Sequence, residues 1–314
     1  MGYLRSLREN WDDRDWWTTN VRGFLLKHSL GRYYDLMRED GFEMMQADWD
    51  HLVILDACRY DLFERVNQVP GDLRKVRSEA ASTEEFLSQY FAGQRLHDTV
   101  YVTANPQEQL HLDEGVFHTI SRVWLDGWDA DRGTVTPEVM ASRCIEAADE
   151  YPNKRIIAHF MQPHIPFLGP TASEFDTEGE LTPARTQALG DGPVGEFDSV
   201  WMELRRKEVS ERSVWRAYRE NLELVLEAVE QVIAEVDGKI VITSDHGNLI
   251  NDRLCPFPIR ESGHHSGLYV PELIDVPWLE IEGSRREIRS DTPELNDEIE
   301  ADVAGRLRRL GYIE

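Results

Sequence analysis

LVILDACRYD, residues 52–61, decides how this chain is read. Four apolar residues run straight into Asp56, and Cys58 and Arg59 follow within three positions. A continuous apolar run, rather than an alternating one, marks a strand covered on both faces, as in a parallel sheet. Its end poses a chemical alternative. Either Cys58 is a nucleophile helped by Asp56, or Asp56 is the working residue and Cys58 is small packing beside it.

Three more runs share the pattern: TVYVTA (99–104), RIIAHF (155–160) and IVITSD (240–245), with a weaker fifth in VPWLEI (276–281). Helical patterns lie between them. TEEFLSQYFAG runs from Thr83 to Gly93, and PEVMASRCIEAADEY spans 137–151. The longest runs from about Ser213 to Val236, with Trp215, Tyr218, Leu222, Val225, Val229, Val232 and Val236 at helical spacing. Strands alternating with helices predict an α/β protein, a three-layer α/β/α sandwich on a mostly parallel sheet. Residues 1–47 read as a helical N-terminal arm with Trp16, Trp17, Phe24, Leu25, Tyr33, Tyr34, Leu36 and Met37 among charges. The expectation is that the arm docks on its own domain; a membrane surface or a partner is the alternative. Residues 48–314 form the main domain, closed by a helical segment at 293–314 that carries Ile299, Val303, Leu307 and Leu310. The Gly-, Pro- and acid-rich stretch 169–200 has little periodicity and reads as a flexible insertion, either a lid or a surface loop.

The 314 residues carry 59 acidic and 34 basic side chains, a net charge of -25. So acidic a surface argues against general nucleic-acid binding. Lysine occurs only at 27, 75, 154, 207 and 239. Acidity with few lysines points to a halophilic protein, kept in solution at high salt. Cys58, Cys144 and Cys255 match neither a zinc template nor a disulfide framework, which fits a reducing, cytoplasmic setting. No apolar run is long enough for a transmembrane helix, and no secretory signal is visible. Oligomeric state is not legible.

In open α/β sheets, ligands bind beyond the carboxyl ends of the strands. The first strand ends in Asp56. The third leads into HFMQPHIPF, with His159 and His164. The fourth ends in Asp245 and His246, then Gly247, and ESGHHSG follows with His264 and His265. Asp and His are ligand types for a divalent cation such as Zn²⁺ or Mn²⁺. Two adjacent ligands ending a buried strand, followed by Gly, have little structural purpose, so Asp245-His246 is the strongest of these signals.

DACRYD, STEE, HFMQPHIPF, TSDHGN and SGHH, in that order over residues 48–282, resemble the sulfatase-like branch of the alkaline phosphatase superfamily. The terminal LRRLGYIE is similar to the short closing helix of such chains. The resemblance implies an α/β/α core, divalent-metal sites, and hydrolysis or transfer of phosphate or sulfate esters through a covalent intermediate. It makes Asp56, Asp245, His246 and His264 metal ligands, with His265 as a fallback for His264. His164 matches a position that contacts a second metal or the transferred group. The nucleophile is expected to open the helix after the first strand. Thr83 fits that slot, with Ser82 beside it, and Thr83 would also touch the metal. A hydroxyl at a helix N-terminus lies where an oxyanion is stabilised, although a helix cap alone would place the same residues there.

Two departures follow from the same residues. Relatives with two metals place an Asp four residues before the His of the second site, and here that position is Phe160. One ion therefore stands as an alternative to two. No cysteine lies in the Cys-x-Pro/Ala-x-Arg pattern that matures into formylglycine. The expected function is thus a metal-dependent hydrolase or transferase of phosphate esters acting through Thr83. Its substrate would be a phosphodiester, a lipid-linked phosphate or a phosphorylated glycan, and the aromatic arm would suit a membrane-proximal one. A non-catalytic metal-binding scaffold is the alternative, and a true sulfatase a lesser one. Cys58 reads as packing and Arg59 with Asp61 as a local structural pair.

Overall fold

The computed structural model describes residues 12, 30–38, 40–175, 182–190 and 200–291. The expectations for most of the arm before residue 30 and for the closing helix at 293–314 lie outside the described residues.

Seven strands form the main sheet: β1 (His51–Leu55), β2 (Asp72–Arg77), β3 (Leu96–Thr103), β4 (Phe117–Arg122), β7 (Arg155–Phe160), β8 (Ile240–Thr243) and β11 (Asp275–Ile281). Their order is β2-β11-β8-β1-β7-β3-β4. The pairs β8–β1, β1–β7, β7–β3 and β3–β4 are parallel, and β11 runs antiparallel between β2 and β8. Two ribbons complete the strands, β5 (Trp128–Asp129) with β6 (Thr134–Val135), and β9 (Leu249–Arg253) with β10 (Arg260–Gly263).

The helices are α1 (Gly31–Met37), α2 (Tyr60–Val66), α3 (Thr83–Tyr90), the single turns α4 (Glu108–His111) and α5 (Val123–Asp126), α6 (Pro137–Glu150), α7 (Thr182–Leu189), α8 (Val200–Arg206), α9 (Glu211–Glu235) and α10 (Pro271–Ile274). Side chains of β1 show the layering. Val53 and Leu55 join Met140, Ala141, Leu222 and Val225 of α6 and α9 on one face. Leu52 and Ile54 join Phe86, Leu87 and Tyr90 of α3 on the other. All five β1 residues are buried. This is the expected three-layer sandwich.

β2 and β4 had no signal in the sequence, and both are edge strands. An edge strand is covered less completely, so DLRKVR carries charge where an inner strand carries Val and Ile. As a result α3 opens after β2, whereas the expectation was the first helix after the first strand; that position belongs to α2. The stretch 169–200 is the one read as a flexible insertion. Its described part holds a 3-10 turn at Pro170–Glu174 and the helix α7. The turn is fastened to α9, where Thr171 donates from its backbone N and from Oγ1 to the Glu220 carboxylate at 2.7 Å each.

The described part of the arm docks on its own domain. Leu30 and Tyr34 are buried among Leu249, Leu254, Leu268 and Leu273, and the Tyr34 hydroxyl donates to the Cys255 carbonyl at 2.7 Å. Among the described residues no helix is long and apolar enough to cross a membrane.

α9 carries much of one layer, so its buried face sets stability. Leu222→Ala is expected to cost about 2–5 kcal/mol in urea unfolding, because Leu222 is wholly enclosed. Glu227→Ala on the exposed face is expected to change stability by about 0.5 kcal/mol or less.

Candidate functional site

Four neighbouring parallel strands, β8, β1, β7 and β3, end side by side, and each brings a buried polar residue within two positions of its end. β1 gives Asp56, β8 gives Asp245 and His246, β7 gives His159, and β3 leads to Asn105. The register places Ile54 opposite His159 and Leu55 opposite Phe160, and the Asp56 N–H then donates to the Phe160 carbonyl at 3.1 Å.

Thr83, at the first position of α3, points its hydroxyl into this group. Oγ1 lies 2.9 Å from Asp245 Oδ2, 3.4 Å from Asp56 Oδ2 and 3.3 Å from His246 Nε2. Ser82 is used differently. It caps α3 by accepting from the Glu85 N–H, and its Oγ lies 2.8 Å from Ser266 Oγ. Glu85 returns to the Ala81 N–H at 2.9 Å, so the start of the helix is held from both sides. The capping explanation therefore applies to Ser82 and leaves the Thr83 hydroxyl facing the carboxylates.

The two carboxylates have unequal environments. Asp245 Oδ1 accepts from the backbone N–H groups of Ala57 at 2.9 Å and His246 at 2.8 Å. Asp56 Oδ2 accepts from Asn105 Nδ2 at 2.7 Å, while its Oδ1 has no partner. Burial and then the Asp245 charge push the Asp56 carboxyl above its ordinary pKa. Burial also acts to raise Asp245, but His246 and His159, with those two N–H groups, hold it below the usual value.

One ligand atom each from Asp56, Asp245 and His246 lie within 4.8 Å of one another. His246 Nδ1 is 2.7 Å from the Gly247 carbonyl, to which it donates, so Nε2 presents its lone pair to the pocket. His159 Nε2 is buried without a hydrogen-bond partner, 3.9 Å from Asp56 Oδ2 and 3.8 Å from Asp245 Oδ2. An orphaned carboxylate oxygen beside a second buried carboxylate is the condition a divalent cation relieves, and the N/O donor set suits one.

His164 and His264 extend the site. The His264 ring lies 4.6 Å from His246 and 5.1 Å from His164, centroid to centroid. His164 Nδ1 donates to the Ile165 carbonyl at 2.8 Å, leaving its Nε2 as an acceptor or ligand. Burial lowers His164 to about 4, so it is neutral at pH 7. His265 turns away towards the Ser262 carbonyl and Glu261, so His264 is the member of the pair that joins the site. Phe160 is packed in the core, as its chemistry requires.

Two residues of this pocket carried no assigned role in the sequence reading. His159 was named among the Asp and His residues at the strand ends but was given no role of its own. Asn105 follows the second strand in TANP, and the question put to the other strand ends would have found it.

Burial weighs against Cys58 as a nucleophile. Cys58 is fully buried with its thiol pKa pushed well up by burial, so thiolate is scarce. Arg59 binds Asp61 at 2.8 and 3.0 Å and Asp252 at 2.7 Å, a structural tie as expected.

No family model and no curated protein sequence matches the chain. Among solved structures it is similar to the zinc complex of the C-terminal periplasmic domain of EcEptC from Escherichia coli, at 14% identity and a TM-score of 0.47, over 78% of this chain and 76% of that one. It is also similar to the integral membrane protein lipooligosaccharide phosphoethanolamine transferase A from Neisseria meningitidis, at 13% identity and a TM-score of 0.47, over 90% of this chain and 60% of that one. A third is the putative sulfatase yidJ from Bacteroides fragilis, at 13% identity and a TM-score of 0.40, over 82% and 71% of the two chains.

Two outcomes follow from the geometry. Under native conditions iodoacetamide is expected to label the exposed Cys255 and spare the buried Cys58 and Cys144, read by peptide mass spectrometry. His159→Gln is expected to weaken divalent-metal affinity by about 10–100-fold in a chelator competition, whether the imidazole binds the ion or steadies its carboxylates.

Proposed function

We propose that the chain is a metal-dependent phosphoester hydrolase or phosphotransferase with Thr83 as nucleophile. The observation that carries this reading is the Thr83 hydroxyl itself. It is buried, opens a helix, and lies within 3.4 Å of Asp56, Asp245 and His246. A hydroxyl that served only as a cap would face the backbone N–H groups of its own helix, as Ser82 does.

Asp56, Asp245 and His246 would hold a divalent cation, Zn²⁺ or Mn²⁺, with Thr83 against it; His164 and His264 provide for a second ion or for the transferred group. Such a cation supplies Lewis-acid stabilisation of the developing charge and a lowered hydroxyl pKa. The chain's own residues do the rest. Asp245 Oδ2, 2.9 Å from Thr83 Oγ1, is placed to receive the hydroxyl proton. Thr83 Oγ1 then bonds to phosphorus as the bond from phosphorus to the leaving oxygen breaks. The phosphoryl group passes from Thr83 to water or to an acceptor hydroxyl in the second half of the reaction. The start of α3 brings N–H groups and the positive end of the helix dipole to the side where the oxyanions gather.

Metal content by elemental analysis tests the reading without a guess at the substrate. One or two ions per chain are expected in the wild type, and none bound stably in Asp245→Ala. Absence of metal even after reconstitution would sink the mechanism. Because Asp56 holds its proton to a higher pH than a free carboxyl, loading is expected to release a proton and to tighten as pH rises; calorimetry in buffers of different ionisation enthalpy reads both. A phosphoryl adduct on the Thr83 peptide after incubation with phosphoesters, absent in Thr83→Ala, would identify the nucleophile by mass spectrometry.

A further inference from the structure

On the outer side of the helical layer, α2 and α9 enclose a groove of about 740 Å³ lined by Leu62, Val66, Trp215 and four arginines, Arg65, Arg212, Arg216 and Arg219. In a chain with 59 acids and 34 bases, an unpaired arginine is the less expected case. Yet Arg212 and Arg216 have no hydrogen-bond, ion-pair or ring partner among the described residues. Several acids of the same helices are engaged elsewhere. Glu211 accepts from Asn251, Glu220 binds Thr171, Glu64 accepts from Tyr60, and Asp61 is shared by Arg59 and Arg65. Glu223, paired with Arg219 at 3.3 Å, is the one acid in the lining.

The arrangement costs local stability. Arg212 and Arg216 are like charges at i and i+4, and Arg212 lies in the first turn of a 25-residue helix, at its positive end; both placements are unfavourable by a few tenths of a kcal/mol. An oxyanion between them would reverse the sign. Guanidinium groups bind phosphate and sulfate through paired N–H donors. Trp215, held from behind by Arg59 at 4.8 Å, gives the groove a fixed apolar wall. The overall negative field does not forbid this, because exposed charges beyond about 10 Å are screened at ordinary ionic strength.

We propose that this groove is an anion subsite for an oligoanion carrying two or more phosphate or sulfate groups. The site is separate from the metal pocket, and the proposal stands without the catalytic reading.

The test is calorimetric titration of the full-length, EDTA-treated protein with two probes in parallel, tripolyphosphate and sucrose octasulfate. The variants are Arg212→Gln/Arg216→Gln, Asp245→Ala, and the charge-matched control Arg285→Gln/Arg289→Gln. Binding of either probe is expected in the wild type and in Asp245→Ala, and the tighter probe names the group carried. The groove variant is expected to lose about tenfold in affinity, the control little, and the binding to weaken with added salt. Failure of both probes to bind overturns the proposal, as does a loss confined to Asp245→Ala or an equal loss in the control. Should the groove variant unfold, Glu223→Gln decides in its place: tighter binding supports the subsite, and unchanged binding overturns it.

Discussion

Two carboxylates that repel each other are held together in the interior, and the rest of the site is arranged around that fact. Asp56 and Asp245 end the adjacent strands β1 and β8, both are essentially inaccessible, and both reach the same threonine oxygen. Charge in such a place is tolerated only with partners, since an unpaired buried ion costs several kcal/mol or changes its protonation. The partners are visible. The Ala57 and His246 N–H groups serve Asp245, and Asn105 serves Asp56. Thr83 has one proton to give and lies nearest Asp245. What stays unmet in the site is one oxygen of Asp56 and one nitrogen each of His159 and His264.

The backbone also bears this load. Ala57 adopts a positive φ of 57°, a conformation that costs a side-chain-bearing residue about 1–2 kcal/mol. It is held there by its N–H on Asp245 and by the Tyr218 hydroxyl on its carbonyl. Ser244 ties the two strand ends, accepting from the Cys58 N–H at 2.9 Å and donating to the Leu55 carbonyl at 2.6 Å. Gly247 has a reason beyond flexibility, since a Cβ there would collide with the Glu272 carbonyl. The Gly of TSDHGN is thus a requirement of close backbone approach next to the ligands.

Much of this was legible from the chain. The four inner parallel strands carry continuous apolar runs because both of their faces are covered, and their ends named Asp56, Asp245 and His246 directly. β11, which passes between β8 and β2, gave only the weaker run VPWLEI. What escaped had physical reasons. β2 and β4 are edge strands, whose charged residues break the pattern. The helix opened by Thr83 was expected after the first strand, but it follows an edge strand that left no signal, so the helical pattern, residue type and motif found the helix while its place in the strand order was missed. The choice between Thr83 and Ser82 depends on which hydroxyl caps the helix, and two adjacent hydroxyls in a sequence do not say. His159 and Phe160 differ by one position, and only strand register shows which faces the pocket and which the core.

Arg59 shows how one side chain links these levels. It lies three residues after Asp56 and is nearly buried. Its Nε and Nη2 hold Asp61, and its Nη1 holds both the Asn248 carbonyl, at 3.1 Å, and Asp252. Its plane rests on Trp215. One guanidinium thereby joins the loop after β1 to the loop after β8, the two loops that begin with the repelling carboxylates. Lysine has no planar fork and could not make these contacts together. In LVILDACRYD, then, Asp56 is the buried carboxylate that faces Thr83, Arg59 ties the loop that follows it to the loop after β8, and Cys58 is buried between them.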